Sequence, residues 1–231
     1  MEPGILYNVV MYIKTVEEEN IRGFFTDREG SALSPYMNYD VRRTMGLVSV
    51  PWIRTRQIHS DRIAIVEGVT GDRILNGFDA MITEQRGICL VTVHADCVPV
   101  QLYDEKCRVI AAVHAGWRGT ALGIAGKTAK MMKDRFGCSS IRAYIGPAIS
   151  MCCYEVGKEV AEAFSDYPEA VKLCGDKPHV DLKKINKMQL ENEGVDNVDV
   201  SSFCTCCSEG FISYRKTASM MRMASGIYMI P

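Results

Sequence analysis

The chain has 231 residues, 47% of them hydrophobic, which is enough to bury the core of a single domain spanning residues 1–231. Its 27 basic and 28 acidic residues leave a formal net charge of −1, so neither nucleic acid nor a membrane surface is an expected partner, and a small ligand is favoured. The first 20 residues lack the basic segment and cleavage site of a signal peptide, and no apolar run reaches about 18 residues. We therefore expect a cytoplasmic protein whose ten cysteines stay reduced, most of them as small buried hydrophobic residues.

Strand-like and helix-like patterns alternate along the chain, which predicts a mixed α+β fold. The predicted strands are residues 8–13, 52–58, 62–67, 87–93, 98–103, 108–114 and 141–146.

Three helices are predicted. The first covers 120–136, with Thr120 as its N-cap, Gly137 after its end and an apolar stripe of Leu122, Ala125, Ala129, Met132 and Phe136. The second covers 154–167, starting near Glu155. The third covers 182–194, with Asp181 as its N-cap and Gly194 as its stop.

The strands at 98–103 and 108–114 are separated by Asp-Glu-Lys-Cys, a connection short enough for a hairpin. If the loop is symmetric, paired residue numbers add up to 211, and Cys97 faces His114. Directly opposed Cβ atoms lie about 5 Å apart, so this pair could share one metal ion or form a thiol and imidazole pair. The same register gives the hairpin one wholly apolar face, whereas a slip of one residue would exchange the two faces.

His114 leads into Ala-Gly-Trp-Arg-Gly-Thr and then into the first predicted helix. Gly116 and Gly119 permit close backbone approach, and a helix N-terminus beside Arg118 would suit an anion. A plain strand-to-helix connection explains the same residues equally well. His94 has no counterpart in the proposed register, and we interpret it as a packing or supporting residue rather than a ligand.

Two cysteine-rich segments are open to a second interpretation. Cys204 and Cys207 have C-x-x-C spacing, with Cys206 between them. A structural zinc site needs a second pair of cysteines with similar spacing. Cys152 and Cys153 are adjacent rather than spaced. We interpret both segments as packing. The methionine-rich residues 219–229 are likewise interpreted as core filling rather than as a copper site.

A series of motifs resembles the laccase-domain family, also called YfiH-like, in order from about residue 50 to the C-terminus. The motifs are RQIHS (56–60), FDAMIT (78–83), ADCVPV (95–100), VHAGWRGT (113–120), IGPAIS with CCYEVG (145–157), CT (204–205) and SYRK (213–216). Members of that family have been named polyphenol oxidases and purine nucleoside phosphorylases. Residues 34–47 are a contracted counterpart of a longer family segment.

The resemblance implies an α/β/β/α fold with mixed sheets layered between helices. It also implies one zinc ion held by His59, Cys97 and His114. The implied activities are phosphorolysis of adenosine, inosine and methylthioadenosine, together with deamination of adenosine.

The chain's four histidines limit the metal chemistry. A multicopper centre needs about ten histidines, so copper is conceivable only as a single ion. Two histidines and one cysteine with an open fourth position form a catalytic zinc pattern, and zinc-bound hydroxide can attack purine C6. Asp96 and Asp79 are the candidates for moving protons, although turn capping explains each of them equally well.

Phosphorolysis requires cations or N–H groups that hold phosphate beside the ribose. Arg118 is the first candidate, followed by Arg56, Ser60 and Arg215. Arginines in strands and loops are also common as surface residues with packed stems.

A metal-free Cys-His hydrolase is the main alternative, with Cys97 as nucleophile and His114 as its base. Some members of the resembling family are described as amidases that edit peptidoglycan precursors. His59 discriminates between the two chemistries, because a metal needs a second imidazole and a dyad does not. A partner-binding domain explains none of the histidine and cysteine placement.

Overall fold

Two mixed β-sheets, packed face to face, form the centre of the structure. The computed structural model describes residues 12–28, 32–33, 42–43 and 45–231. In the described residues the strands are β1 (Tyr12–Glu17), β2 (Ile21–Thr26), β3 (Ala32–Leu33), β4 (Trp52–Arg56), β5 (Ile63–Ile65), β6 (Arg73–Asn76), β7 (Ala80–Thr83), β8 (Cys89–His94), β9 (Val98–Asp104), β10 (Val109–Ala115), β11 (Arg142–Ile145), β12 (Val171–Cys174), β13 (Lys177–Val180), β14 (Asn197–Val200) and β15 (Met221–Met229). The helices are α1 (Trp117–Ala121), α2 (Ile124–Phe136), α3 (Lys158–Glu162), α4 (Leu182–Asn192) and α5 (Tyr214–Thr217), with a 3₁₀ turn at Pro168–Ala170.

The first sheet has the order β14-β11-β9-β10-β7-β5, and the second has the order β1-β2-β15-β8-β4-β6 with β3 also paired to β15. Both contain parallel and antiparallel neighbours. Strands β12 and β13 form a separate two-stranded ribbon. The α+β class with layered mixed sheets is therefore confirmed.

Apolar side chains fill the space between the two sheets. This layer includes Ile53 and Leu90 from the second sheet and Met81 and Ile110 from the first. On its other face, the first sheet is covered by α2, which packs on β10 and β7, and by α4, which packs on α2 and β14. The far face of the second sheet is covered in the described residues by the segment around Leu47. The predicted α/β/β/α arrangement also requires a helical layer on this face, which the described residues do not show.

The hairpin register differs from the prediction. Strands β9 and β10 pair Val98 with Ala115 and Asp104 with Val109, so paired numbers add up to 213 rather than 211, and His114 faces Pro99 rather than Cys97. The predicted register is therefore wrong. Asp104 stays in the strand, and its side chain accepts hydrogen bonds from the N–H groups of Lys106 and Cys107. These bonds place the turn one residue closer to the C-terminus than predicted.

A shift of two in the sum preserves the predicted faces. Val98, Val100 and Leu102 still lie on the same side as the apolar residues of β10, and all of them are buried in the core beneath α2 and α4. The apolar face was therefore predicted correctly despite the wrong pairing.

The first predicted helix is interrupted. It starts earlier than expected, at Trp117, and breaks at Gly123, whose φ of 78° is left-handed. Thr120 therefore lies inside α1 rather than at an N-cap, and Leu122 of the predicted stripe is 49% exposed. The remaining buried stripe and the stop at Gly137, with φ of 68°, are confirmed.

The second predicted helix is reduced to α3. Residues 154–156 instead run along β13, where the Val156 N–H donates to the Pro178 carbonyl and the Val180 N–H donates to the Tyr154 carbonyl. These bonds hold the backbone extended up to Gly157. The third predicted helix is confirmed as α4.

The terminal regions of the fold also differ from expectation. The predicted strand at 8–13 overlaps β1, although residues 8–11 lie outside the described residues. The methionine-rich segment forms β15, in which Met223 and Met229 are buried, while Met220 just before it is exposed. Within the described residues, no helix combines the length and apolarity needed to cross a membrane.

The cysteines are less buried than predicted. Of the ten free cysteines, Cys89, Cys138 and Cys204 are buried, and the others are partly or fully exposed. The expectation that most of them fill the core is therefore wrong, because the exposed ones lie in loops, turns and strand ends rather than on inward faces.

We expect Asp181→Ala to destabilise the fold by about 1 kcal/mol, because the Asp181 carboxylate accepts a hydrogen bond from the Lys184 N–H at the start of α4. Urea denaturation followed by circular dichroism measures the free energy of unfolding. Asp181→Asn keeps an acceptor and serves as the matched control. Equal stability of Asp181→Ala and the wild-type chain would contradict this role.

Candidate active site

Three metal-binding side chains converge at one end of the sheets. His59 follows β4, Cys97 lies in the loop between β8 and β9, and His114 is near the end of β10. Their ligand atoms all lie within 4.8 Å of one another, with 3.8 Å between Cys97 Sγ and His59 Nε2. The two imidazole rings meet edge to face, with centroids 4.9 Å apart. Although the predicted hairpin pairing is wrong, Cys97 and His114 do lie together.

Asp79 organises both histidines. Its carboxylate accepts hydrogen bonds from the N–H groups of Ile58, His59 and Ser60, at 3.2, 3.0 and 2.8 Å. The Ser60 hydroxyl and His114 Nδ1 also donate to it, both at 2.8 Å. One buried carboxylate therefore fixes the loop that carries one histidine and the ring orientation of the other.

These contacts also keep Asp79 ionised. Burial would raise the pKa of Asp79, but the hydrogen bonds from His114 and Ser60 outweigh it and lower that pKa below its usual range. Because the Asp79 side chain is fully buried and Asp79 does not line the pocket described below, whereas Asp96 does, the geometry gives Asp79 a positioning role.

Cys97 and His114 each shift the pKa of the other towards the charged form. Burial would raise the pKa of the Cys97 thiol, but the nearby His114 and His59 rings lower it to about 6. Burial would lower the pKa of His114, but the Cys97 thiolate and Asp79 raise it to about 9. The site therefore stabilises a thiolate, which is the form of cysteine that binds a metal or attacks a carbon.

Gly116 leaves the space that the cluster occupies. A Cβ at position 116 would lie 2.7 Å from His59 Cδ2 and 3.2 Å from Cys97 Sγ. A Cβ on Gly119 would lie 2.9 Å from the Ser60 carbonyl oxygen. The two glycines of the Gly-Trp-Arg-Gly motif therefore let α1 pack directly against the His59 loop, as the sequence predicted.

Gln57 joins the same loop to the second sheet. Its side-chain amide donates to the Val93 carbonyl and accepts from the Val93 N–H, both at 2.8 Å. The amide thus pairs with β8 as a peptide group would, just beyond the end of β4.

His94 lies behind the cluster rather than in it. Its ring is 5.4 Å from that of His114, and it hydrogen bonds to the Thr92 hydroxyl and the Cys97 carbonyl. Since a carbonyl only accepts, Nδ1 carries the proton. Burial lowers the pKa of His94 well below its ordinary value, so the ring is neutral. The interpretation of His94 as a supporting residue agrees with this placement.

A pocket of about 300 Å³ opens onto the cluster, within the size range of small-molecule sites. His59, Cys97 and Asp96 contribute to its floor, and aromatic and basic side chains form its walls. The wall residues include Trp117, Arg118, Tyr154, Tyr214, Arg215 and Arg222.

The three arginines of the pocket each lie over an aromatic ring. The guanidinium carbons of Arg118, Arg215 and Arg222 are 4.4, 5.2 and 5.7 Å from the ring centroids of Trp117, Tyr154 and Tyr214. Such stacking fixes the guanidinium planes while leaving N–H groups for an anion. The pocket therefore combines three positive charges with aromatic surface.

Asp96 is the carboxylate of the pocket. Its oxygens accept hydrogen bonds from the Thr205 hydroxyl at 2.6 Å and from the Arg215 backbone N–H at 2.9 Å. Asp96 thereby connects the Cys97 loop to the C-terminal segments of the chain, in a position from which it can exchange a proton with a bound molecule.

Of the four predicted phosphate-binding residues, Arg118 and Arg215 line the pocket. Arg56 is exposed at the end of β4, and the Ser60 hydroxyl donates to Asp79, so neither belongs to the described lining. Sequence reasoning missed Arg222 and the roles of Tyr154 and Thr205. The family motifs at 152–157 and 204–205 were the available signal for the last two.

The donor set suits a zinc ion. Zinc–ligand bonds of roughly 2.0–2.3 Å at tetrahedral angles place neighbouring donor atoms about 3.5 Å apart, close to the 3.8 Å between Cys97 Sγ and His59 Nε2. His59, Cys97 and His114 would supply three ligands, and the pocket lies on the open side of the cluster.

The architecture is that of YfiH-type proteins. It aligns with the crystal structure of the hypothetical protein YfiH from Bacillus licheniformis with a TM-score of 0.80 and 30% identity, covering 91% of this chain and 93% of the other. Among characterised relatives, a purine nucleoside phosphorylase of Bacteroides thetaiotaomicron is 42% identical over 166 residues, which cover 67% of this chain and 62% of that protein. Adenosine deaminase RL5, from an unknown prokaryotic organism, is 34% identical over 195 residues, covering 76% of this chain and 74% of the relative.

The chain belongs to the multi-copper polyphenol oxidoreductase laccase family, whose pattern matches residues 37–230. The predicted family is thereby confirmed. The alignment with the Bacteroides protein spans less than two thirds of that relative's length.

We expect Gly116→Ala to weaken zinc binding at least tenfold, because the added methyl group would displace His59 or Cys97. Competition with a chromophoric zinc chelator measures the affinity. Gly71→Ala is the matched control, since no atom lies within 4 Å of a Cβ at that position. Unchanged affinity in Gly116→Ala would mean that the ion is held elsewhere.

Proposed function

We propose that this chain is a zinc-dependent purine nucleoside phosphorylase that acts on adenosine, inosine and methylthioadenosine and also deaminates adenosine. The single observation that carries the proposal is the open His59, Cys97 and His114 cluster on the floor of a pocket lined by three arginines. The printed activities of the two relatives, phosphorylase and adenosine deaminase, support the substrate class.

The residues of the pocket walls suit both proposed substrates, the purine nucleoside and phosphate. The faces and edges of Trp117 and Tyr154 offer stacking surface for a purine, which every nucleobase can use. Arg118, Arg215 and Arg222 offer charged N–H donors for phosphate, and planar guanidinium groups bind phosphate oxygens in pairs.

Phosphorolysis forms a bond between a phosphate oxygen and ribose C1′ while the C1′–N9 bond breaks and its electron pair goes to the purine. The arginines hold the attacking phosphate in place, and the negative charge of the phosphate stabilises the ribose as it becomes positive. The departing purine needs a proton, and Asp96, with hydrogen bonds to Thr205 and Arg215, is the group on the pocket floor that can transfer it.

Deamination adds water to purine C6 and releases ammonia. A zinc ion held by the three ligands would activate that water. Asp79 keeps the His114 ring directed at the site, and Asp96 is again the carboxylate available to move the proton that ammonia takes with it.

We also propose that the protein works in the cytoplasm. All ten cysteines are free in the structure, and the metal site depends on the thiolate of one of them, which a reducing compartment preserves.

A Cys-His hydrolase acting on a peptidoglycan precursor is the second candidate. It is favoured by the lowered pKa of Cys97 beside His114 and by Asp79 behind the histidine, an arrangement shared with cysteine hydrolases. Copper chemistry at the single site is the third candidate, since the family description names copper.

We expect the purified wild-type chain to contain zinc bound by His59, Cys97 and His114. The His59→Ala variant should lose this ion, because the two remaining ligands hold it poorly. Its turnover of adenosine should fall at least 100-fold. Elemental analysis and a nucleoside assay on the same samples provide the measurement. His179→Ala is the control, since His179 bonds to the Met151 carbonyl. A wild-type protein that contains no metal, and whose Cys97 is covalently trapped by an acylating substrate analogue, would favour the hydrolase instead.

We expect inosine cleavage to depend on phosphate and Arg118→Gln to raise the KM for phosphate about 10- to 100-fold, because a charged hydrogen bond contributes roughly 1.5–3 kcal/mol. Arg135→Gln, at an exposed ion pair on α2, is the control. Initial rates across a phosphate series provide both values. Base release that proceeds equally well without phosphate would rule out phosphorolysis.

A further inference from the structure

Four cysteines from two distant loops meet beside the pocket. Cys152 and Cys153 lie in the turn after β11, and Cys204 and Cys207 lie in the turn after β14. Their sulfur atoms all lie within 4.8 Å of one another. Cys204 is buried, Cys153 is half-buried, and Cys152 and Cys207 are exposed, so the interpretation of these segments as packing accounts for Cys204 but not for the two exposed thiols.

We propose that Cys152, Cys153, Cys204 and Cys207 bind a second zinc ion, a structural one, through four thiolates. The proposal is independent of the function assigned to the first site, because it rests on other residues and requires no substrate.

The spacing of the sulfur atoms fits a single tetrahedral ion. Four zinc–sulfur bonds of about 2.3 Å place neighbouring sulfurs about 3.8 Å apart. Cys152 Sγ lies 3.7 Å from Cys153 Sγ and 3.8 Å from Cys207 Sγ. These separations are far longer than the roughly 2.05 Å of a disulfide bond.

The loop after β14 has the local features of a zinc-binding turn. Cys204 and Cys207 have C-x-x-C spacing. The Ser150 N–H, from the other loop, donates to the Cys204 sulfur at 3.4 Å. A sulfur that accepts an N–H group carries negative charge favourably, as a metal-bound thiolate does.

Lys183 supplies a compensating positive charge. Lys183 is 5% exposed, and its ammonium donates to the Ser201 and Phe203 carbonyls at 2.8 and 3.0 Å. Phe203 directly precedes Cys204 in the chain, so this cation lies beside the cluster. One zinc ion with four thiolates has a net charge of −2, which a buried cation nearby partly offsets.

A zinc ion at these four cysteines would tie two walls of the pocket together. Thr205, between the ligands of the second turn, donates to Asp96. The Cys153 carbonyl accepts from the Arg215 guanidinium at 3.5 Å. The ion would therefore fix the position of Asp96 relative to Arg215 without itself contacting a molecule bound in the pocket.

The test uses Cys97→Ala, which removes the thiolate of the first site while leaving the four cysteines intact. We expect this variant, purified with a reductant, to retain about one zinc ion per chain. A further Cys207→Ser or Cys204→Ser change should abolish it, whereas Cys206→Ser, in the same turn but outside the cluster, should not. Cys207 is exposed, so its replacement leaves no buried cavity, and circular dichroism checks the fold.

X-ray absorption at the zinc edge of Cys97→Ala should show four sulfur neighbours at about 2.3 Å. This measurement supports or overturns the proposal even if the double variants fail to fold. Three results would overturn it: a metal-free Cys97→Ala protein, nitrogen or oxygen neighbours around the ion, and copper(I) in place of zinc. A disulfide between any of the four cysteines in freshly reduced protein, mapped by mass spectrometry, would also do so.

Discussion

The buried carboxylate of Asp79 is the interaction on which the rest of the site depends. It lies at the start of β7, inside the first sheet, and yet it binds the backbone of the His59 loop, which leaves the second sheet. It also binds His114 on the neighbouring strand β10. An ionised carboxylate without partners would be very unfavourable in this environment. The contacts that satisfy Asp79 are therefore the same contacts that place the His59 loop and the His114 ring.

The sequence predicted the fold class, six strand positions within the described residues and the helix at Asp181, and the family resemblance predicted that His59, Cys97 and His114 converge. Strands and amphipathic helices follow from local periodicity, and the apolar face of the hairpin follows from alternation. The pairing of Cys97 with His114 was nevertheless wrong, because the side chain of Asp104 bonds to the following backbone and shifts the turn. A pattern with period two cannot detect a shift of two in the pairing sum.

Long-range contacts account for what could not be predicted. Tyr154 was assigned to a helix, but the backbone pairing of residues 154–156 with β13 holds it extended at the pocket. Arg222 reaches the pocket that also contains His59 and Cys97 because β15 pairs with β8 in the second sheet. The adjacent cysteines at 152 and 153 gain a partner pair from a segment about 50 residues away in the sequence. None of these contacts can be predicted from a local sequence pattern, since each depends on the order of the strands in the sheets.

Gln57 shows how much a single amide can specify. Its side chain offers one donor and one acceptor to Val93, so it continues the ladder of β8 where the main chain of β4 has already turned away. Glutamate at this position would still accept from the Val93 N–H, but it would direct a second acceptor at the Val93 carbonyl. Position 57 therefore requires a side chain that offers both a hydrogen-bond donor and an acceptor, as a peptide group does, and not merely a polar side chain. This side chain converts the end of a strand into a fixed starting point for the loop that carries His59.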